Sequence, residues 1–184
     1  MILGGTRLCD RCFDRRIAAA TGYPELPDPP APTRLRGADG RSHRFRYRLW
    51  RAGTGVVAEA VELGVEVLEG YHAKVIGPHD VDLPELVARL DAQLTSKLRR
   101  IDLEAGPNGP VMSGMTVHGR LEWTDERRAY DVIVDGRRLG WDEFGGVLEP
   151  FEGYEFELRI VDMEVVGDLG LEGVGDGDAR RRLH

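Results

Sequence analysis

The order of apolar and polar residues predicts a protein built mainly from antiparallel strands. In the stretch 43–51, Phe45, Tyr47 and Leu49 alternate with polar residues and Trp50, and a period of two is typical of a strand with one buried face. Related patterns recur between turn residues along the chain, for which we predict a loop at 105–114 and a tight turn at Asp135-Gly136. The stretches for which we predict a strand are 43–51, 56–62, 65–76, 115–123, 130–134 and 154–160.

A helical period replaces the alternation over 82–101. Apolar residues three or four positions apart trace one stripe there, namely Leu83, Leu86, Val87, Leu90, Leu94, Leu98 and Ile101. Asp82 and Glu85 have the spacing of a capping box at the start of this helix. The predicted fold class is α+β, with a mostly antiparallel sheet or sheets of about six strands packed against one long amphipathic helix, about 83–101, and shorter helices at about 12–21 and 141–148.

Proline and glycine divide the chain into segments. The prolines of 23–40 remove backbone donors and fix φ, which favours an extended linker. Beyond Met163 the chain is rich in Gly and Asp, a composition typical of a flexible tail. We therefore predict a Cys-x-x-Cys knuckle with a short helix at 1–22, a Pro-rich linker at 23–40, a main α+β domain at 41–163 and a tail at 164–184.

Charge and hydropathy limit the environments that suit this chain. The formal net charge is −7 over 184 residues, which argues against a surface that is basic throughout and seeks nucleic acid. No apolar run reaches the roughly 20 residues of a membrane span, and the first residues lack the pattern of a secretory signal. We expect a cytoplasmic protein that has a protein partner or forms a homo-oligomer.

The two cysteines, Cys9 and Cys12, have the spacing of a zinc-ligand pair. A structural zinc ion needs four ligands, so this pair is at most half a site, which His43 or a second subunit could complete. A redox pair and plain thiols are the alternatives. The absence of a second cysteine pair also suggests that Met1 is an internal start and that a longer product carries the missing pair.

The strand at 43–51 is unusually rich in arginine, and it offers a second candidate site. Alternation places arginines on one face, where an aromatic side chain beside them could bind phosphates and bases of a nucleic acid. The residues of this candidate site are Arg44, Arg46, Arg48, Trp50 and Arg51. The alternative, which we favour, is cross-strand pairing with Glu59, Glu62, Glu66 and Glu69.

Two stretches resemble known sequence modules. Leu8, Cys9, Asp10, Arg11, Cys12 and Phe13 resemble the second half of a treble-clef-like zinc finger. The stretch 132–162 resembles a module of uncharacterised bacterial domain-of-unknown-function proteins, through Val134-Asp135-Gly136, Trp141-x-Glu143-Phe144, Leu148, Phe151-Glu152-Gly153, Phe156, Leu158, Ile160 and Asp162. This resemblance implies a bacterial origin and a hairpin, helix and strand in that order. It implies no activity.

The chain shows no familiar catalytic motif. It lacks a Gly-x-Ser-x-Gly elbow, a phosphate-binding loop, a His-Glu-x-x-His helix and a dinucleotide fingerprint. The leading hypothesis is therefore a non-catalytic protein-interaction or regulatory module in which the N-terminal cysteines are the relic or half of a zinc-binding knuckle. Nucleic-acid binding through 43–51 is the first alternative, and a small hydrolase of unrecognised type is the second.

Overall fold

The chain folds into helices and antiparallel strands, which confirms the α+β class. The computed structural model describes residues 2–3, 6–53, 55–66, 68–125 and 128–161. Its helices are α1 (Asp10–Thr21), α2 (Leu83–Leu98) and α3 (Trp141–Leu148), and a short 3-10 helix follows at Glu149–Phe151. Its strands are β1 (Ile2–Leu3), β2 (Thr6–Arg7), β3 (Thr33–Arg36), β4 (Ser42–Ala52), β5 (Gly55–Glu62), β6 (His72–Gly77), β7 (Leu103–Gly106), β8 (Gly109–Met112), β9 (Gly119–Thr124), β10 (Ala129–Val134) and β11 (Arg137–Leu139).

The larger core lies between a four-stranded antiparallel sheet and α2. The sheet has the order β3-β4-β5-β6. Alternation along β4 turns Phe45, Tyr47 and Leu49 to the side that α2 covers, as the sequence predicted. The residues of this core that are buried are Phe45, Tyr47, Leu49, Val56, Ala58, Ala60, Ala73, Val75, Leu86, Leu90, Leu94 and Leu98. The alanines of β5 and β6 in this core, Ala58, Ala60 and Ala73, pack in one cluster with the leucines of α2.

The Asp82 cap predicted for α2 is present, but the Glu85 carboxylate contacts Arg89 rather than the backbone of Asp82, and the helix ends earlier than expected. The Asp82 carboxylate accepts a hydrogen bond from the backbone N–H of Glu85 at 3.3 Å, which satisfies one of the free donors at the helix start. The helix ends at Leu98, and Ile101 lies beyond it with 40% of its surface exposed. The apolar stripe therefore overestimated the length of the helix by three residues.

Helix α1 packs against β4 through charged contacts. Asp10 receives hydrogen bonds from Arg48, and the carboxylate of the buried Asp14 accepts one from the backbone N–H of Leu26 at 2.8 Å. Gly22 ends α1 in the left-handed conformation at φ 78°, which suits glycine. Strand β3 falls inside the segment predicted as a linker, where Thr33 and Leu35 alternate with arginines.

A second, smaller core is formed by the residues that follow α2. Strands β11, β10 and β9 form a three-stranded sheet in that order, and β7 and β8 form a hairpin. Val132, Val134, Leu139 and Val147 are the buried residues of this core, and Val147 belongs to α3. The predicted tight turn at Asp135-Gly136 joins β10 to β11, and both residues have positive φ, at 50° and 75°, as a type I′ turn requires.

The predicted arrangement of one long helix against about six strands is wrong. The described strands divide into separate sheets, and α2 covers only the one formed by β3 to β6. The reason is that each apolar cluster has its own covering helix, α2 for the first and α3 for the second. Two further predictions differ from the structure. The strand expected at 65–76 begins only at His72. The segment 105–114, expected to be a loop, contains most of the β7–β8 hairpin.

The final predicted strand, at 154–160, is not formed. Residues 154–161 are neither helix nor strand, and among the described residues no sheet edge pairs with them. The predicted tail, 164–184, lies outside the described residues. The helices that the structure describes include none with the length and apolar character needed to cross a bilayer.

Candidate functional site

The arginine-rich strand is real, but its arginines have different surroundings. Alternation on β4 turns Arg44 and Arg46 away from the core, and both are exposed. Trp50 lies further along the same face and is half-buried. This face of β4 is therefore basic at one end and packed at the other.

Arg48 is held in an ion-pair network between α1 and the sheet. Its guanidinium donates to both carboxylate oxygens of Asp10, at 2.7 and 2.8 Å, and to Glu59 on β5 at 2.8 Å. It also lies 5.3 Å from the centre of the Trp50 ring. Glu59 contacts His72 at 2.9 Å. Burial works against the charge on Glu59, but the hydrogen bonds from His72 and Arg48 prevail and lower the pKa of Glu59. The predicted cross-strand pairing thus occurs at Arg48 and Glu59.

Arg51 is buried and is not available to a ligand. Only 3% of its surface is exposed. It donates hydrogen bonds to the carbonyl oxygens of Pro24 at 2.8 Å and His79 at 3.3 Å, and its guanidinium lies over the ring of Tyr23. Arg48 and Arg51 therefore hold α1 and the following segment to the sheet, and the five residues proposed for nucleic-acid binding do not form one continuous basic surface.

Two arginines of β3 extend the exposed part of this surface. Arg34 lies directly opposite Arg44 in the antiparallel register, and Arg36 follows two positions later on the same face. We call Arg34, Arg36, Arg44 and Arg46 the arginine face; all four are exposed. Within the described part of the chain, none of them forms a hydrogen bond through its side chain or an ion pair. The alternation in 33–36 was the signal for Arg34 and Arg36, but the neighbouring prolines favoured a linker there.

His43 belongs to a second polar network and is not placed to complete a zinc site. Its Nδ1 lies 2.7 Å from Glu62 and its Nε2 lies 3.2 Å from Asp39. Burial disfavours the charged ring, but the hydrogen bonds to Glu62 and Asp39 outweigh burial and raise the pKa of His43. This histidine therefore joins the β3–β4 turn to the end of β5.

A pocket of about 390 Å³ opens beside the outer face of the sheet. The side chains that line it include Arg46, Glu62, Glu66, Glu69, His72 and Arg120. Near it, burial together with Arg120 and Arg100 lowers the pKa of Lys97 to about 8, and its amino group donates to the carbonyl oxygen of His72 at 2.6 Å.

The cysteine pair caps the start of α1. The backbone N–H of Cys12 donates to Cys9 Sγ at 3.3 Å, and both thiols are exposed and free. The hydrogen bond between the two thiols and the one from the Cys12 backbone lower the pKa of Cys9, while the contact with Cys9 raises the pKa of Cys12. Among the described residues no group of three or more His, Cys, Asp or Glu side chains is arranged to hold a metal ion. Zinc binding by Cys9 and Cys12 stays a prediction.

The segment 154–161 exposes large apolar side chains in alternation. The exposed fractions of Phe156, Leu158 and Ile160 are 90%, 75% and 72%. Between them lie the exposed side chains of Glu155, Glu157 and Arg159. No backbone hydrogen bond within the described part of the chain involves 155–161. A sequence suited to a strand is therefore present without a sheet to join.

Two family models match this chain, and each falls on one of the two cores. Residues 27–99 match the model of a domain of unknown function, DUF7686, and residues 102–164 match that of another domain of unknown function, DUF7713. Comparison with curated proteins and with solved structures gives no match. The boundary between the two matches follows the end of α2 at Leu98. The chain is thus similar to two consecutive domains of unknown function, the first containing the sheet covered by α2 and the second the sheet covered by α3.

Proposed function

We propose that this chain is a protein-interaction module in which segment 154–161 is the strand that a partner binds. The observation that carries the proposal is the exposure of its apolar residues, which reaches 90% at Phe156. Each of these side chains that a partner buries would contribute about 1.5–3 kcal/mol to the binding free energy. A contiguous exposed apolar patch of this kind is typical of an interaction site.

The backbone of the segment supports the same proposal. A strand-like sequence without a sheet has free N–H and C=O groups, which can pair with the edge of a partner's sheet. The alternation then directs one face, with Phe156, Leu158 and Ile160, into the partner's core, and leaves the charged face outside. Main-chain hydrogen bonds supply affinity in this mode, and side-chain pockets supply specificity.

A photo-crosslinking amino acid in place of Ile160, in the protein's own host, tests the proposal. We expect a covalent adduct with a partner, and we expect its loss when Phe156→Asp and Leu158→Asp are added. The matched control is the same crosslinker at Leu148, which is also exposed, at 42%, but lies on α3. Equal adducts from both positions, or none from position 160, would show that the segment is not a docking strand.

A further inference from the structure

The arginine face is a repulsive arrangement when the chain is alone. Arg34 and Arg44 are direct cross-strand partners, and Arg36 and Arg46 lie two positions away on the same face. Like charges directly opposite each other destabilise a sheet. Because no described acidic side chain forms an ion pair with these four arginines, the face is suited to an acidic partner.

The arginine face also borders an open sheet edge. β3 is the first strand in the order β3-β4-β5-β6, and no described strand pairs with its other side. The core side of β3 carries Leu35, which packs against the larger core. A strand added beside β3 would therefore meet arginines on one face and an apolar residue on the other.

Segment 154–161 has the complementary pattern. Its charged face carries Glu155, Glu157 and Arg159, of which the two glutamates lie two positions apart like Arg34 and Arg36, and its other face carries Phe156 and Leu158. The alternation of the two faces is the same whether the added strand runs parallel or antiparallel to β3. Both carboxylates can therefore lie beside the two arginines of β3. The apolar residues on the other face then extend the core next to Leu35. One chain leaves both surfaces open, since its own segment pairs with none of its described strands.

We propose that two copies of this chain associate by reciprocal strand addition, with 154–161 of each copy pairing with the free edge of β3 in the other. This proposal rests on the proposed function and names its partner. Each copy then supplies one strand and one edge, so two contacts close a symmetric dimer. A single-stranded nucleic acid fits less well, because it needs exposed aromatic rings for stacking, and the aromatic residue on this face of β4, Trp50, already packs against Arg48.

Charge reversal tests the dimer in the purified full-length chain. One variant carries Arg34→Glu and Arg36→Glu, and the other carries Glu155→Arg and Glu157→Arg. In either variant alone both contacts become repulsive, so the dimer dissociation constant should rise at least about a hundredfold. When the two variants are mixed, both contacts become attractive again, and a heterodimer should form. Sedimentation equilibrium measures the mass, and circular dichroism confirms that each variant is folded.

The matched control reverses two other exposed arginines, Arg15 and Arg16 on α1, and should leave the dimer intact. A wild-type chain that is monomeric at every concentration overturns the inference, as does a dimer that survives either reversal or a mixture that stays monomeric. The inference is also overturned if the wild type is monomeric and binds single-stranded nucleic acid, and if Arg34→Glu/Arg36→Glu abolishes that binding. A crosslinked adduct of position 160 with a different protein would overturn the dimer and leave the proposed function standing.

Discussion

At the scale of single residues, one glycine contact joins the two parts of the molecule. The backbone N–H of Gly70 donates to the carbonyl oxygen of Gly136 at 2.7 Å. A Cβ on Gly136 would lie 3.2 Å from the Cα of Gly70, so the two main chains approach as closely as glycine permits. The Asp135 carboxylate of the same turn accepts hydrogen bonds from the backbone N–H groups of Asp102 and Leu103.

Replacing Gly136 by alanine should therefore destabilise the fold through two effects. The residue has φ 75°, which costs an alanine about 1–2 kcal/mol, and the new methyl group would push against the Gly70 backbone. We expect a total loss of about 2–3 kcal/mol in urea unfolding. Gly40→Ala is the control, because its φ is 77° and a Cβ there meets nothing within 4 Å. Equal losses in both variants would mean that the close approach contributes nothing.

His43 should make stability depend on pH. Although burial opposes its charge, the hydrogen bonds to Glu62 and Asp39 raise the pKa of His43 above the usual 6.5. The folded state thus binds the proton more tightly than the unfolded state, so the stabilisation is complete below about pH 6.5 and is lost as the pH rises through the raised pKa. Asp39 has the opposite dependence: burial opposes its charge, but hydrogen bonds from Arg41 and His43 lower its pKa, so its contribution is lost only in acid.

The measurement is urea unfolding of the wild type and of His43→Gln at about pH 5.5 and about pH 8, on either side of the usual histidine pKa. Glutamine keeps the hydrogen-bonding groups but cannot carry the charge. The wild type should exceed the variant in stability mainly at the lower pH. His118→Gln, a histidine with an exposed side chain, is the control. If the difference in unfolding free energy between the wild type and His43→Gln is the same at both pH values, His43 contributes through packing alone.

At the scale of elements, Arg120 on β9 holds the loop between β5 and β6. It donates hydrogen bonds to the carbonyl oxygens of Gly70 and Leu68, each at 2.9 Å, and to the Glu122 carboxylate at 2.7 Å. Leu68 has φ 74°, a conformation that is costly for a residue with a side chain. The guanidinium therefore stabilises a strained loop and binds it to the second sheet.

Arg120→Ala should lose about 2 kcal/mol of stability, because hydrogen bonds from a charged group, here one whose side chain is only 14% exposed, are among the stronger ones. Amide exchange of 63–71 should also become faster. Arg137→Ala in the same sheet is the control: its ion pair with Glu143 is more than 40% exposed on both sides, so its loss should cost under about 1 kcal/mol. Similar effects of the two substitutions would contradict the role assigned to Arg120.

The sequence predicted those elements that are determined by local pattern. The capped leucine stripe of α2, the alternation of β4 and the Asp135-Gly136 turn depend on neighbouring residues, and the structure contains all three. The separation into two cores depends on which strands pair over long distances, which alternation does not encode. The arginine face was only half predicted, because Arg34 and Arg36 lie among prolines, and the burial of Arg51 depends on contacts with Tyr23 and Pro24 from another segment.

At the scale of the whole molecule, the two cores differ in size. Among the described residues, the core under α2 contains 12 that are buried, whereas the core under α3 contains 4. Each buried apolar side chain contributes about 1.5–3 kcal/mol, and small domains are only marginally stable. The two cores are joined by a few polar contacts, such as those of Gly136 and Arg120. The second core should therefore be the less stable one and should unfold first.

Tryptophan fluorescence can follow the two cores separately, because Trp50 lies on β4 while Trp123 and Trp141 lie on β9 and α3. In urea, a Trp50→Phe variant should report a transition at lower concentration than a variant that retains only Trp50. Two coincident transitions would contradict independent cores.

If segment 154–161 docks on a second copy, binding stabilises the state that it binds. Because the segment docks on β3, the transition of the core under α2 should then move to higher urea as the protein concentration rises, and this shift should vanish in the variant with Glu155→Arg and Glu157→Arg.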